Sequence, residues 1–128
     1  MAAVDDMVSA ARLRIGPRVA AADLGAAIDA GALVVDTRPA WQRDRDGLLP
    51  GAVVVDRNVL EWRLDPTSPH RLSGMDDPSR PVIVMCDEGY SSSLAAASLA
   101  DLGLTNVTDL VGGYQAWLAH RSGPPGRC

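Results

Sequence analysis

The chain has 128 residues, 16 acidic and 12 basic, for a formal net charge of -4 at pH 7, and 47% of it is hydrophobic. That length suits one domain with its own core, and the balance of apolar and charged residues excludes general disorder. The acidic balance, with no cluster of Arg, argues against a nucleic-acid binder, and no apolar run approaches the ~20 residues of a membrane span.

From the N-terminus, Val4, Met7, Val8 and Ala11 recur at helical spacing, with Asp5 and Asp6 in the first turn where the helix dipole favours acids. A helix is predicted over about 4–14, and the segment lacks the basic region of a signal peptide. Leu24, Ala27 and Ile28 predict a second helix, which Gly31 stops. Leu33 to Val35, Ala52 to Val55, Val82 to Met85 and Val107 to Leu110 are short Val-rich runs, mostly continuous rather than alternating. They predict strands buried on both faces, as in a parallel sheet. Asn58 to Leu64 reads as a helical turn ended by Asp65-Pro66, and residues 65–81, rich in Pro, Ser, Asp and Arg, as one long surface loop. Ala95, Leu99 and Leu102 predict a helix stopped by Gly103; Tyr114, Trp117 and Leu118 predict another after Gly112-Gly113. Helices alternating with short apolar strands imply an α/β sandwich around a mostly parallel central sheet. Residues 1–121 are expected to form the single domain, with its core at about 20–120, and 122–128 to be a flexible tail. Two cysteines, Cys86 and Cys128, are too few for a disulfide framework, so a reduced, cytoplasmic setting is expected.

The chemistry-bearing stretch runs Val82-Ile83-Val84-Met85-Cys86-Asp87-Glu88-Gly89-Tyr90-Ser91-Ser92-Ser93. A cysteine ends a buried strand, a glycine-bearing loop follows, and a helix begins. Ligand sites in open α/β sheets lie at the carboxyl ends of strands. A loop that curls into a helix N-terminus turns backbone N–H groups inward, favouring an anion and hence the thiolate of Cys86, its nucleophilic form. The other reading of Cys86 is a small buried hydrophobe that merely ends a strand. The serines likewise have a plain reading as helix N-caps.

Three segments together resemble a known family. Val34-Val35-Asp36-Thr37-Arg38, followed by Gly47-Leu48-Leu49-Pro50-Gly51-Ala52, resembles the first signature of the rhodaneses; Cys86-x-x-Gly89 resembles their active-site loop; Val111-Gly112-Gly113-Tyr114 with Trp117 resembles their closing signature. The resemblance covers about residues 20–120. It implies a three-layer α/β sandwich and a sulfurtransferase moving sulfane sulfur through a cysteine persulfide. Cys86 would be the nucleophile. Asp87, Glu88, Gly89, Tyr90, Ser91 and Ser92 would form the loop that cradles the sulfur, and Asp36, Arg38, Gly112 and Gly113 the structural signature. The implied donor is a small sulfur-containing anion such as thiosulfate, or a persulfide; the acceptor is a thiol or cyanide. No cofactor, metal, nucleic acid or membrane is implied, and the chain would be a monomer or weak homodimer. The alternative function is a non-catalytic rhodanese-like module for binding or sulfur sensing.

The sequence departs from the family pattern at two places. Ser91 stands where many such loops carry Arg, and Leu48 where the first signature usually has His. An Arg would grip an anionic donor bidentately, whereas Ser91 offers a neutral hydrogen bond. Related cysteine loops in dual-specificity phosphatases and arsenate reductases need an Arg in Cys-x5-Arg; that position is Ser92, so phosphoryl chemistry lacks its charge clamp.

Asp36 and Arg38 read as a structural ion pair at the end of the first strand, and Asp87 and Glu88 as side chains turned out to water. Trp41, Trp62 and Trp117 are expected to pack in the core or at its rim, being too scattered for a nucleic-acid stacking platform. Arg57, Arg63 and Arg71 read as solvated surface, with the other reading that one of them borders the site. His70 and His120 lie far apart without metal-ligand spacing, and Cys128 could reach Cys86 only if the tail folds back.

Overall fold

The computed structural model describes residues 2–122. Four parallel strands form one sheet: β1 (Leu33–Asp36), β2 (Val53–Val54), β3 (Val82–Met85) and β4 (Val107–Asp109), in the order β2-β1-β3-β4. Among the described residues six helices accompany them: α1 (Ala3–Arg14), α2 (Ala21–Asp29), α3 (Ala40–Asp46), α4 (Leu60–Leu64), α5 (Ser91–Leu102) and α6 (Gly113–Ser122), with a 3-10 turn at Arg57–Val59 leading into α4.

The continuous apolar runs of β1 and β3 have a direct physical reason. Leu33, Val35, Val82 and Val84 point into one core, with Leu60 and Leu64 of α4 and Ala95, Ala96 and Leu99 of α5. Their neighbours Val34, Ile83 and Met85 point into a second core, with Leu24 of α2 and Tyr114 of α6. Successive strand residues face opposite sides of a sheet, so two cores require that every position be apolar. The result is the expected three-layer α/β sandwich. β2 departs from that rule: it is a two-residue edge strand whose Val53 is half-buried and Val54 exposed.

Two expectations need correction. Residues 65–81 are not simply a surface loop, since Met75 is fully buried and Leu72 nearly so, both in the core beside α4 and α5. Trp41 and Trp62 are not core residues; they are 61% and 58% exposed, and only Trp117 packs against the core, 5.3 Å from the Tyr114 ring. α3 was not signalled at all, because none of its residues is buried and it carries no apolar stripe.

The topology positions a site. From β1 the chain moves out to β2, while from β3 it moves to β4 on the opposite side. The switch in direction falls between β1 and β3, where connections part and leave a crevice at the carboxyl ends. Register pairs Asp36 with Met85, so Thr37 and Cys86 emerge side by side at that crevice. Thr37 holds the end of β3 by donating both its N–H and its hydroxyl to the Met85 carbonyl, at 2.9 and 3.0 Å.

Candidate active site

Cys86 opens the loop between β3 and α5 and is 6% exposed. Its sulfur accepts two backbone hydrogen bonds, from Gly89 N–H at 3.1 Å and from Ser92 N–H at 3.3 Å. The loop therefore curls around the sulfur, and the N-terminus of α5 adds the positive end of its dipole. Gly89 makes the curl with φ +88°, and a Cβ there would come within 2.6 Å of the Gly112 nitrogen. The loop thus lies directly on the Gly112-Gly113 turn, and α6 fastens it further: Tyr114 N–H donates to Cys86 O at 2.8 Å and Gln115 N–H to Asp87 O at 3.0 Å.

A cavity of about 330 Å³ opens over the loop, lined by Thr37, Arg38, Pro39, Gln42, Cys86, Asp87, Glu88, Tyr90 and Ser91. It joins the end of β1 to the end of β3, as the strand order requires. A neighbouring recess shares Thr37, Arg38 and Pro39 and carries Arg43 and Arg57. Arg57 therefore borders this region, while Arg63 donates to the His70 carbonyl and Arg71 pairs with Asp76.

The acidic start of the loop is divided in its behaviour. Glu88 is exposed. Asp87 is held sideways by Gln115, 3.0 Å away, and by Arg45 at 3.4 Å. Gln115 and Arg45 also hold Asp46, at 2.9 and 2.6 Å, so one network ties the end of α3 to the loop and to α6. The hydrogen bond from Arg45 holds the Asp46 carboxyl below its ordinary range, against the opposing effect of desolvation and with help from Gln115.

Asp36 and Arg38 form the expected ion pair, and they form it inside the protein. Arg38 Nη2 lies 2.8 Å from Asp36 Oδ2, and both side chains are essentially unexposed. Arg38 also donates to the Gly47 carbonyl at 2.9 Å and lies over the Tyr114 ring, its guanidinium carbon 3.7 Å from the ring centre. Its Nη1 is buried without a hydrogen-bond partner among the described residues, and the π face of Tyr114 supplies compensating negative charge. Tyr114 in turn donates its hydroxyl to Asp46 O at 2.9 Å. The pair thus anchors the segment after β1 to α6, beside the Cys86 loop.

The three serines do not cap α5. The cap position is Tyr90, with no side-chain hydrogen bond. Ser92 and Ser93 instead donate their hydroxyls to the fully buried carboxylate of Asp109, each at 2.8 Å. A buried carboxylate demands such partners, and it outcompetes the local cap. Ser91 is exposed and lines the cavity. Arg18 completes the Asp109 cluster, with Nε at 2.7 Å from Oδ1. Asp109, Arg18, Arg12, Gln115, Asp46 and Arg45 are among the members of the site that local sequence patterns did not reveal. Cys128 lies outside the described residues.

The comparisons with known proteins agree with this geometry. Residues 20–120 match the model of the Rhodanese-like domain. The thiosulfate sulfurtransferase GlpE of Ectopseudomonas mendocina is 37% identical over 89 residues, which is 70% of this chain and 72% of that protein. GlpE of Coxiella burnetii is 41% identical over 44 residues, 34% of this chain; the chain spans only 41% of that relative's length. A Rhodopseudomonas palustris protein, described as of unknown function and a possible tyrosine phosphatase, superposes with a TM-score of 0.81 at 30% identity, covering 97% of this chain and 94% of that one. The human single-domain sulfurtransferase TSTD1 superposes with a TM-score of 0.64 at 22% identity, covering 80% of this chain and 96% of that one, a likeness of fold. With strand order, cysteine loop and matched span in agreement, the chain belongs to the rhodanese-like domain family.

Proposed function

We propose that the protein is a sulfurtransferase that carries sulfane sulfur as a persulfide on Cys86. The observation that carries this reading is the pair of backbone N–H groups, of Gly89 and Ser92, donating to the Cys86 sulfur. They are placed to hold negative charge on that sulfur, first on the attacking group and then on the persulfide. The Tyr90 N–H has no backbone acceptor among the described residues, and Tyr90 lines the cavity into which an added sulfur would extend. The names of the GlpE relatives support the same class of reaction.

With thiosulfate as donor, the Cys86 thiolate attacks the outer sulfur. The sulfur–sulfur bond of thiosulfate breaks, and sulfite leaves with the bonding electron pair. In the second half, cyanide or a thiolate attacks the outer sulfur of the persulfide, and the Cys86 thiolate leaves. Charge and sulfur balance in both halves, and no redox partner or cofactor is needed. The donor is a small sulfur-containing anion or a persulfide, the acceptor a thiol or cyanide, and a reducing, cytoplasmic compartment suits a thiol that must stay free.

The alternative of phosphoryl transfer, raised by the description of the Rhodopseudomonas structure, is not favoured. Ser92 stands where the Arg of such a loop belongs, and its hydroxyl is committed to Asp109. Intact-mass measurement after incubation with thiosulfate tests the proposal. The wild type should gain about 32 Da, one sulfur, and Cys86→Ser should gain nothing while remaining folded. A wild type that gains no mass from thiosulfate or from a low-molecular-weight persulfide would overturn the enzymatic reading and leave a binding or sensing module.

A further inference from the structure

On the side of the Cys86 loop away from the cavity, two guanidinium groups converge on one backbone oxygen. Arg12 Nη2 donates to Gly89 O at 2.9 Å, and Arg18 Nη2 donates to it at 3.0 Å. Neither arginine lines the cavity that holds Cys86. Both precede the span matched by the family model, residues 20–120. Arg12 comes from α1, which packs on α5, and Arg18 from the segment joining α1 to α2.

Each is held in place. Arg18 Nε lies 2.7 Å from Asp109 Oδ1, and Arg12 Nε donates to Ser93 Oγ at 3.0 Å. Ser93 itself donates to Asp109, and the Arg12 guanidinium lies 5.7 Å from the centre of the Tyr90 ring. Arg18 is thus paired with the Asp109 carboxylate, while Arg12 reaches it only through Ser93 and has no carboxylate of its own among the described residues, so its positive charge stands directly behind the loop.

A trans peptide holds its N–H antiparallel to its C=O. With Gly89 O turned to the arginines, Tyr90 N–H is turned to the opposite side, that of the cavity. Two charge-assisted hydrogen bonds on the oxygen polarise the whole peptide group and strengthen its N–H as a donor. We propose that Arg12 and Arg18 are positioning residues that fix and polarise the Gly89–Tyr90 peptide, so that negative charge on the Cys86 sulfur is held from behind rather than by an Arg within the loop. The pair supplies part of what Ser91, in the usual place of that Arg, cannot. The role in sulfur transfer rests on the persulfide reading above.

Arg18 also neutralises the buried Asp109, so Arg12 is the better probe. The experiment uses a Cys128→Ser background, in which Cys86 is the one remaining thiol of the two in the sequence. Two rates are measured at neutral pH: single-turnover persulfide formation from thiosulfate, and alkylation by iodoacetamide. Arg12→Met should slow both about five- to tenfold, as expected for removing one nearby charge from a partly buried site. Arg12→Lys, which keeps a cation and N–H donors, should recover to within about twofold. Arg14→Met removes a different contact between the same two helices, the Arg14–Asp101 pair at 2.9 Å, and should leave both rates unchanged. Equal slowing by Arg14→Met, or failure of Arg12→Lys to rescue, would reduce Arg12 to a helix-docking residue and overturn the proposal. Wild-type rates in Arg12→Met with a normal persulfide would overturn it and leave the sulfurtransferase reading intact. No persulfide in any variant, but slower alkylation in Arg12→Met alone, would overturn the transfer reading and support the arginine device.

Discussion

Gly113 stands so close to Cys86 that a Cβ added to it would lie 2.5 Å from the Cys86 carbonyl oxygen and 2.7 Å from the Asp87 carbonyl carbon. Both neighbours are backbone, so neither can swing aside. Gly113→Ala must therefore displace the Cys86 loop or the start of α6. The φ of +61° adds a further penalty for any side chain. Expected outcomes are a loss of about 2–4 kcal/mol in chemical denaturation and a fall in persulfide formation larger than the loss of folded protein explains. Wild-type stability in Gly113→Ala would show that the loop and α6 are not in this close contact.

The Asp36–Arg38 pair lends itself to a double-mutant cycle. Each side chain is buried with the other as its charged partner. Removing one strands the other, at a cost of about 3–5 kcal/mol, whereas replacing both by apolar residues can approach neutrality. Arg38→Met and Asp36→Leu should each destabilise strongly in urea titrations, and the double variant less than the sum. Strict additivity would mean that the two side chains do not depend on one another.

Acid should loosen the tie between α3 and the cysteine loop. The folded-state pKa of Asp46 lies below its ordinary value of 3.8, so its interactions stabilise the protein above that value. That contribution declines as pH falls through 3.8 and is gone below the folded pKa. Asp46→Asn should therefore be less stable than wild type at pH 5 to 7, with the two curves converging on acidification. A gap that stays constant down to pH 2 would remove the carboxylate's charge from the explanation.

Ser91 borders the cavity, and none of the loop residues that line it is cationic. Thiosulfate is a dianion, so a guanidinium at this position should attract it and grip it during attack. Ser91→Arg should raise kcat/KM for thiosulfate about ten- to a hundredfold, the effect of one charge-assisted hydrogen bond of about 1.5–3 kcal/mol realised in the transition state. Part of the gain is long-range attraction, and it should shrink as salt is added. A neutral persulfide donor should benefit less. A wild type already as fast as Ser91→Arg, with no salt dependence in either, would refute this electrostatic account of the loop.

Several features of the fold and the site were legible in the sequence because they are local. The runs at 33–35 and 82–85 are apolar at every position, and only a strand covered on both faces needs that. Cys86, Gly89 and the Ala/Leu helix from Ser91 to Leu102 are contiguous, so strand, turn and helix N-terminus could be placed around the sulfur from order alone. Asp36 and Arg38 are two residues apart and pair directly. What the tertiary structure decided is the company these residues keep. Arg12 and Arg18 reach Gly89 across separations of 77 and 71 residues, and Arg45 and Gln115 reach Asp87 across 42 and 28. Leu72 and Met75 turned a polar-looking loop into part of the core, and Asp109 drew the serine hydroxyls away from capping α5. Periodicity and turn chemistry report how a segment meets its immediate neighbours. A buried carboxylate or an unpaired peptide oxygen takes whichever donor packing brings within reach, and that partner is chosen by the fold.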